Sequence, residues 1–268
     1  MNLDRCSINS ITLRAARLQE LIDVAVSHSV PGVALWRDVY SGAGVVSAAK
    51  QIRSAGLRVT SVCRGGMFPA RSASERAAIA ADNRRAVDEA HELDAECLVM
   101  VCGASTTKDL AAAREQIESG LRGLAPYAAD AGVRLAIEPM HPMMIADRSA
   151  ITSLTEANDV VERIGAPNLG IALDAYHVWW DVSMAAQIQR AGKKLFSVQV
   201  CDWVTPITGQ LSSRGMPGEG VIDLKDFVSQ ADGAGYEGLI EIEVLSDRWW
   251  SESLENATRA ALSGFAGI

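Results

Sequence analysis

Two textures alternate along the chain. One is a short run dense in Val, Ile, Leu and Cys. The other is a longer stretch of Ala, Arg, Glu and Leu whose apolar positions recur at helical spacing. The short runs are Arg5–Leu13, Gly32–Trp36, Arg58–Cys63, Glu96–Cys102, Arg134–Glu138, Leu169–Asp174, Phe196–Cys201 and Leu239–Leu245, eight in all. Between them the spacing predicts eight helices, near 13–29, 45–55, 72–93, 109–131, 153–164, 184–191, 224–234 and 251–265. Gly or Pro often marks the exit from a helix before the next strand, at Pro31-Gly32, Gly56, Gly132, Gly165, Gly192 and Gly235. The phrase AGLRVTSV at 55–62 returns as AGVRLAIE at 131–138. Both read as helix end, glycine stop and buried strand, which suggests a repeated βα unit of roughly 30 residues.

Strands this continuously apolar are covered on both faces, as in parallel sheets. Eight βα units predict an α/β fold, a (β/α)8 TIM barrel, and 268 residues suit it because such a barrel takes about 250. An open doubly wound sheet would want a Gly-rich phosphate loop after an early strand, and no G-x-G-x-x-G or G-x-x-x-x-G-K is present. No linker or low-complexity segment interrupts the pattern, so residues 1–268 read as one domain. Apolar residues at 49% and charged residues at 22% are enough for a large core. A net charge of −8 argues against nucleic acid and anionic membranes as partners. No apolar run reaches the roughly 20 residues of a membrane span. The opening Met1–Arg5 does not lead into the apolar stretch of a secretory signal. Cys6, Cys63, Cys97, Cys102 and Cys201 are odd in number and form no C-x-x-C. They read as reduced core residues of a cytoplasmic protein.

Active sites of such barrels lie at the carboxyl ends of the strands. The fifth strand ends Ile-Glu138-Pro-Met-His141, the sixth Leu-Asp174-Ala-Tyr-His177, the seventh Val-Gln199-Val-Cys-Asp202-Trp, and the eighth carries Glu241 and Glu243. A charge at the end of an apolar strand is expensive to bury unless it is paired or binds metal. Glu138, Asp174, Gln199 and Glu243 would form an oxygen-rich cluster suited to Mn²⁺ or Mg²⁺. Glu243 is favoured over Glu241 because it lies nearer the carboxyl end, which leaves Glu241 for a deeper ion pair or hydrogen bond.

His141 and His177 each follow an acid by three residues, and both are candidates for substrate contact or proton transfer. His28 and His91 fall in predicted helices and read as structural or surface groups. No lysine lies at a strand's carboxyl end, so a Schiff-base mechanism has no nucleophile. Trp36, Trp179, Trp180, Trp203, Trp249 and Trp250 all fall on the expected catalytic face. Trp36, Trp179 and Trp203 are the candidates for packing against substrate, with others roofing the barrel. Arg214, opening the glycine-punctuated segment Arg214–Gly220, is a candidate to hold an anionic or hydroxyl-rich substrate.

These strand ends, with Pro217-Gly-Glu-Gly220 and Gly235-Tyr-Glu-Gly-Leu-Ile-Glu-Ile-Glu243, resemble the xylose-isomerase-like (AP endonuclease 2) TIM-barrel superfamily over essentially the whole chain. The resemblance implies a divalent metal held by Glu138, Asp174, Gln199 and Glu243, with Mn²⁺ first and Mg²⁺, Co²⁺ or Zn²⁺ as alternatives. Gln199 replaces the usual His, as in proteins similar to hydroxypyruvate isomerases. His177 matches the substrate-contacting His of ketose 3-epimerases. Met144 and Thr205 stand where those epimerases place a second Glu and an Arg, which argues against a plain ketohexose 3-epimerase. Four histidines cannot supply the trinuclear zinc site of the endonuclease IV branch. The resemblance also suggests a homo-oligomer.

The expected activity is isomerisation or epimerisation of a sugar or sugar phosphate through a metal-stabilised enediolate. Glu138 and Glu243 exchange the proton and His177 orients an oxygen. The alternative is a lyase or dehydratase on a keto-sugar, including β-elimination from 3-keto C-glycosides. There His141 would be the base, and a small partner subunit would be expected. A third reading is a metal-stabilised binding protein without turnover.

Overall fold

The computed structural model describes residues 1–268. Eight strands form the barrel: β1 (Cys6–Asn9), β2 (Gly32–Trp36), β3 (Arg58–Gly66), β4 (Leu98–Val101), β5 (Leu135–Ile137), β6 (Leu169–Asp174), β7 (Leu195–Val200) and β8 (Ile240–Ile242). All neighbours are parallel and the sheet closes through β1 and β8. The outer helices are α1 (Leu18–Ser27), α2 (Val45–Ser54), α3 (Ala73–Glu92), α4 (Leu110–Asp130), α5 (Leu154–Ile164), α6 (Met184–Ala191), α7 (Leu224–Gly233) and α8 (Leu254–Ala266). This is the (β/α)8 barrel that the alternating pattern predicts.

Helix starts follow local chemistry. Ser72, Asp109, Ser153, Asp223 and Ser253 each accept a backbone N–H of the first turn, which satisfies a donor the helix leaves free. Gly56 and Gly132, the stops of the repeated phrase, both sit at φ +72°. That left-handed conformation turns the chain from helix to strand at no steric cost. The expected strand over Arg5–Leu13 shrinks to Cys6–Asn9, and the one over Leu239–Leu245 to Ile240–Ile242. Past Asn9 the ladder gives way to side chains: the Thr12 hydroxyl donates to the Ile242 carbonyl and accepts the Val244 N–H.

One face of each strand packs outward on the helices. Leu98, Met100, Leu135, Ile137, Leu173, Val198 and Ile242 belong to the large apolar core formed there. The other face points into the barrel and is small or polar. Ser7 and Thr60 hydroxyls meet at 2.8 Å, and the Ser61 hydroxyl donates to Glu241 at 3.0 Å. Those pairs join strands that are not neighbours, so they cross the interior. The inward parity runs from Ala136 to Glu138, from Ala172 to Asp174, from Ser197 to Gln199 and from Glu241 to Glu243. Asp174 is level with Gln199 across β6 and β7, and Gln199 is level with Glu241 across β7 and β8.

Gly66 closes β3 at φ +108°, with Asn83 of α3 bonded to both its N–H and its carbonyl. A Cβ there would stand 2.1 Å from the Val101 carbonyl oxygen. Gly66→Ala should therefore cost about 2 kcal/mol or more in urea unfolding, from steric overlap together with the strained φ. A loss under about 0.5 kcal/mol would mean that the β3–β4 junction is not the tight contact described.

Candidate metal centre at the ends of strands β5 to β8

Glu138 follows β5, Asp174 ends β6, Gln199 lies on β7 and Glu243 follows β8, each no more than 4% exposed. Asp174 also caps the one-turn helix Ala175–Val178 through the Tyr176 N–H, 2.9 Å away. That turn folds His177 back over the acids. Its Nε2 lies 3.4 Å from Asp174 Oδ2 and 3.9 Å from Glu138 Oε1. Glu138, Asp174 and His177 each offer a ligand atom, all within 4.8 Å of one another.

Glu241 lies deeper and is fully buried. Its carboxyl accepts from Ser61, Ser197 and Gln199. This is the hydrogen-bonded floor expected of it. The Gln199 amide nitrogen donates to Glu241 at 3.1 Å, so the amide oxygen faces away from it. That oxygen is buried without a partner. Glu243 is held by the Asn9 amide at 3.1 Å and the Trp36 indole N–H at 3.3 Å.

Arg214, the candidate to hold an anionic or hydroxyl-rich substrate, lines the strand-end cavity and lies among the acids, 3% exposed. Its Nη1 donates to Asp174 Oδ2 at 2.7 Å, to Glu243 Oε2 at 3.3 Å and to the Glu243 carbonyl at 3.3 Å. Its guanidinium also covers the Tyr176 ring, 4.5 Å from the centroid. A short antiparallel ribbon, Asp202–Trp203 against Arg214–Gly215, puts it there. Asp202 clamps the following segment by accepting the Gly218 and Ile222 N–H groups. The Pro217–Gly220 part of the glycine-punctuated loop is thus fastened down.

His177 receives two donors. The His141 N–H lies 3.2 Å from Nδ1 and Arg214 Nη2 lies 3.1 Å from Nε2. A neutral imidazole accepts at one nitrogen only. The ring therefore accepts from the His141 N–H or from Arg214, not from both. Asp174 and Glu243 hold Arg214 whichever nitrogen carries the proton. Burial, reinforced by Arg214 and His141, pushes the His177 pKa well below the usual imidazole value, so the ring is neutral.

Burial raises all three cluster carboxyls. Glu138 is pushed well above the ordinary carboxylate range, with Glu243 and Asp174 adding to burial. Glu243 is raised to about 7, mainly by burial, with Arg214 opposing. Asp174 is raised by burial, again against Arg214. Asp174 and Glu243 touch a single guanidinium and Glu138 touches none, which leaves the three carboxyls two negative charges in excess when all are ionised. Their charge matches a divalent cation, and the orphaned Gln199 oxygen would offer a further neutral donor. The donor set fits a hard metal ion. The five cysteines are all buried thiols, and burial pushes Cys201 well above its usual value, away from thiolate chemistry.

The remaining expected residues separate into two groups. Trp36, Glu138, His177, Arg214 and Glu243 line one cavity with Cys63, Arg64 and Arg148. The cavity is small, about 30 Å³. A sugar enters only when side chains such as Arg214 move. Larger grooves of about 430 to 740 Å³ lie between outer helices and hold none of the strand-end acids. His141, Trp179 and Trp203 do not line the strand-end cavity. His141 Nδ1 accepts the Met143 N–H, and its ring packs 4.9 Å from Trp203. Trp203 in turn packs on Tyr176 and Trp179. These rings form a wall behind Arg214. Trp249 and Trp250 lie elsewhere, bonded through their indole N–H groups to Glu219 and the Ile11 carbonyl.

A closed parallel barrel with buried acids at the ends of four successive strands defines the class. The chain belongs to the xylose isomerase-like TIM barrel family, which matches residues 22–265. A crystal structure of a protein from Sinorhizobium meliloti 1021 is 41% identical, covers 99% of this chain and 98% of its own, and has a TM-score of 0.96. An inosose isomerase from Halalkalibacterium halodurans is 28% identical over 145 residues, 53% of this chain and 50% of that protein. A 3-dehydroshikimate dehydratase from Pseudomonas aeruginosa is 29% identical over 155 residues, 56% of this chain and 24% of that protein. The chain thus spans about half the length of the isomerase it matches and about a quarter of the dehydratase.

The raised carboxyls make a prediction for metal-free protein. Glu243 holds its proton to about 7 when folded and to 4.5 ordinarily, so between those values the folded state binds more protons. The Glu243 contribution to stability is full below the lower value and is lost as pH rises through about 7. Thermal unfolding from pH 6.5 to 8, above the range in which the lowered His177 and His141 act in the opposite sense, should show this decline, and Mn²⁺ in excess should flatten it. A Tm that rises over that range without metal would contradict the charge assignment.

Proposed function

We propose that the protein is a divalent-metal-dependent isomerase or epimerase of a small sugar or keto-sugar. The observation that carries this reading is the pair Glu138 and Glu243, two buried acids with raised pKa lining one cavity. Glu138, Asp174, Gln199 and Glu243 would hold the ion, Mn²⁺ before Mg²⁺, Co²⁺ or Zn²⁺, given their all-oxygen donors. Such an ion supplies Lewis-acid polarisation of a carbonyl and offsets developing negative charge.

The chain's own groups do the rest. One of Glu138 and Glu243 takes the proton from the carbon beside the carbonyl, and the other returns one. A carboxyl whose pKa is near 7, as in Glu243, is matched to both directions of transfer. Trp36 and Asn9 fix the Glu243 carboxylate through Oε1. His177, neutral, orients a substrate oxygen. Arg214, released from the acids, holds substrate against the wall formed by Trp203, Trp179 and His141.

The similarity to a dehydratase favours a second reading, loss of a β-substituent from the same deprotonated keto-sugar. In that case Glu138 or Glu243 takes the proton, because His141 Nδ1 is occupied as a cap and its ring lies outside the cavity lining.

Incubation of Mn²⁺-loaded protein with keto and aldo sugars in D₂O, followed by NMR, tests the proposal. Deuterium should enter a carbon next to a carbonyl, and the product separates isomerisation from elimination. Glu138→Gln and Glu243→Gln should each slow exchange by roughly 10²- to 10⁴-fold. No exchange across the panel with metal bound, or exchange unchanged in both variants, would refute it.

A further inference from the structure

The chain half-buries six arginines and pairs four of them. Arg5 bonds Asp232, Arg37 bonds Glu89 and Asp82, and Arg114 bonds Glu156 and the Ala150 carbonyl. Arg134 donates to the Glu96 carbonyl and lies over the Phe196 ring. Arg64 and Arg148 are the exceptions. Both are half-buried, and neither guanidinium donates a hydrogen bond or comes within the 4.0 Å ion-pair range of a carboxylate. Both line the strand-end cavity, with Trp36, Glu138, His177 and Glu243.

Their backbones are held even though their heads are free. Arg64 is within β3. Arg148 is tied on both sides, its N–H donating to the Met144 carbonyl and its carbonyl accepting the Gly103 N–H, each at 2.9 Å. Their guanidinium nitrogens keep access to solvent and have no acceptor within the protein, so both forks are free to take an incoming oxyanion. Arg64 reaches the small cavity from β3 and Arg148 from the loop after β5. A guanidinium presents a planar fork of donors matched to an oxyanion, and two forks can share one.

We infer that Arg64 and Arg148 form an anion subsite at the rim of the candidate active site, and that the substrate is a sugar-like molecule carrying a carboxylate or phosphate. The word substrate rests on the function proposed above; the anion subsite rests on the arginines alone.

Isothermal titration tests this with two matched pairs of probes, D-glucuronate with D-glucose and D-fructose 6-phosphate with D-fructose. At least one charged probe should bind roughly tenfold or more tightly than its neutral partner. The pair that shows the preference tells carboxylate from phosphate. R64Q/R148Q should abolish the preference and leave the neutral sugar unchanged, and R64K/R148K should keep part of it. The single variants R64Q and R148Q, each losing part of the preference, serve if the double variant does not fold. The inference is overturned if neither charged probe outbinds its partner in the unaltered protein, or if the preference survives both glutamine substitutions. Binding is read without turnover. A charge preference with no deuterium exchange would therefore support the subsite and defeat the isomerase reading, and exchange without a charge preference would do the reverse.

Discussion

Burial of negative charge at the carboxyl ends of β5 to β8 is the constraint from which the rest of the site follows. Glu138, Asp174 and Glu243 sit where water is nearly excluded, and a lone buried carboxylate is costly enough to hold its proton instead. Only Arg214 touches Asp174 and Glu243 with positive charge. The cluster is left with acids that need a second cation or a proton. That deficit gives the carboxyls their raised pKa, orients the proposed metal chemistry and makes the position of Arg214 conditional on what else is bound.

The surroundings of the acids are arranged to hold them apart from one another and at fixed angles. Strand parity sets the inward face, and small residues below the acids leave room for Glu241 and its three donors. Glu241 turns the Gln199 amide so that its oxygen is left over. Asn9 and Trp36 fix one oxygen of Glu243 and Arg214 the other. The ribbon from β7 carries Arg214 across the mouth, and Asp202 fastens its base. The aromatic wall supports this arrangement from behind, with Tyr176 under the guanidinium.

The barrel was legible because each βα unit repeats the same two periodicities, and because glycines such as Gly56 and Gly132 punctuate it identically. The acids were legible for a related reason: a charge that ends an apolar strand stands out, and position nearer the carboxyl end separates Glu243 from the deeper Glu241 of the same parity. Contacts formed by tertiary folding were not legible. Arg214 follows a long excursion after β7, and nothing local shows that the chain doubles back to pair it with Asp174. Trp249 and Trp250 follow β8 as an active-site pair would, yet the Ile11 carbonyl and Glu219 claim their indoles. His141 has the spacing of His177, but the turn after Pro139 makes it a cap. Arg64 and Arg148 carry no sequence signal at all. Their distinction is a missing partner, which only the packed structure exposes.

The most direct test of the central claim is an anomalous-scattering map from crystals grown with Mn²⁺. The account predicts one peak per chain contacted by Glu138, Asp174, Gln199 and Glu243, with Arg214 withdrawn from between Asp174 and Glu243. A map with no peak there and Arg214 still bridging the two acids, under Mn²⁺ in excess, would contradict it.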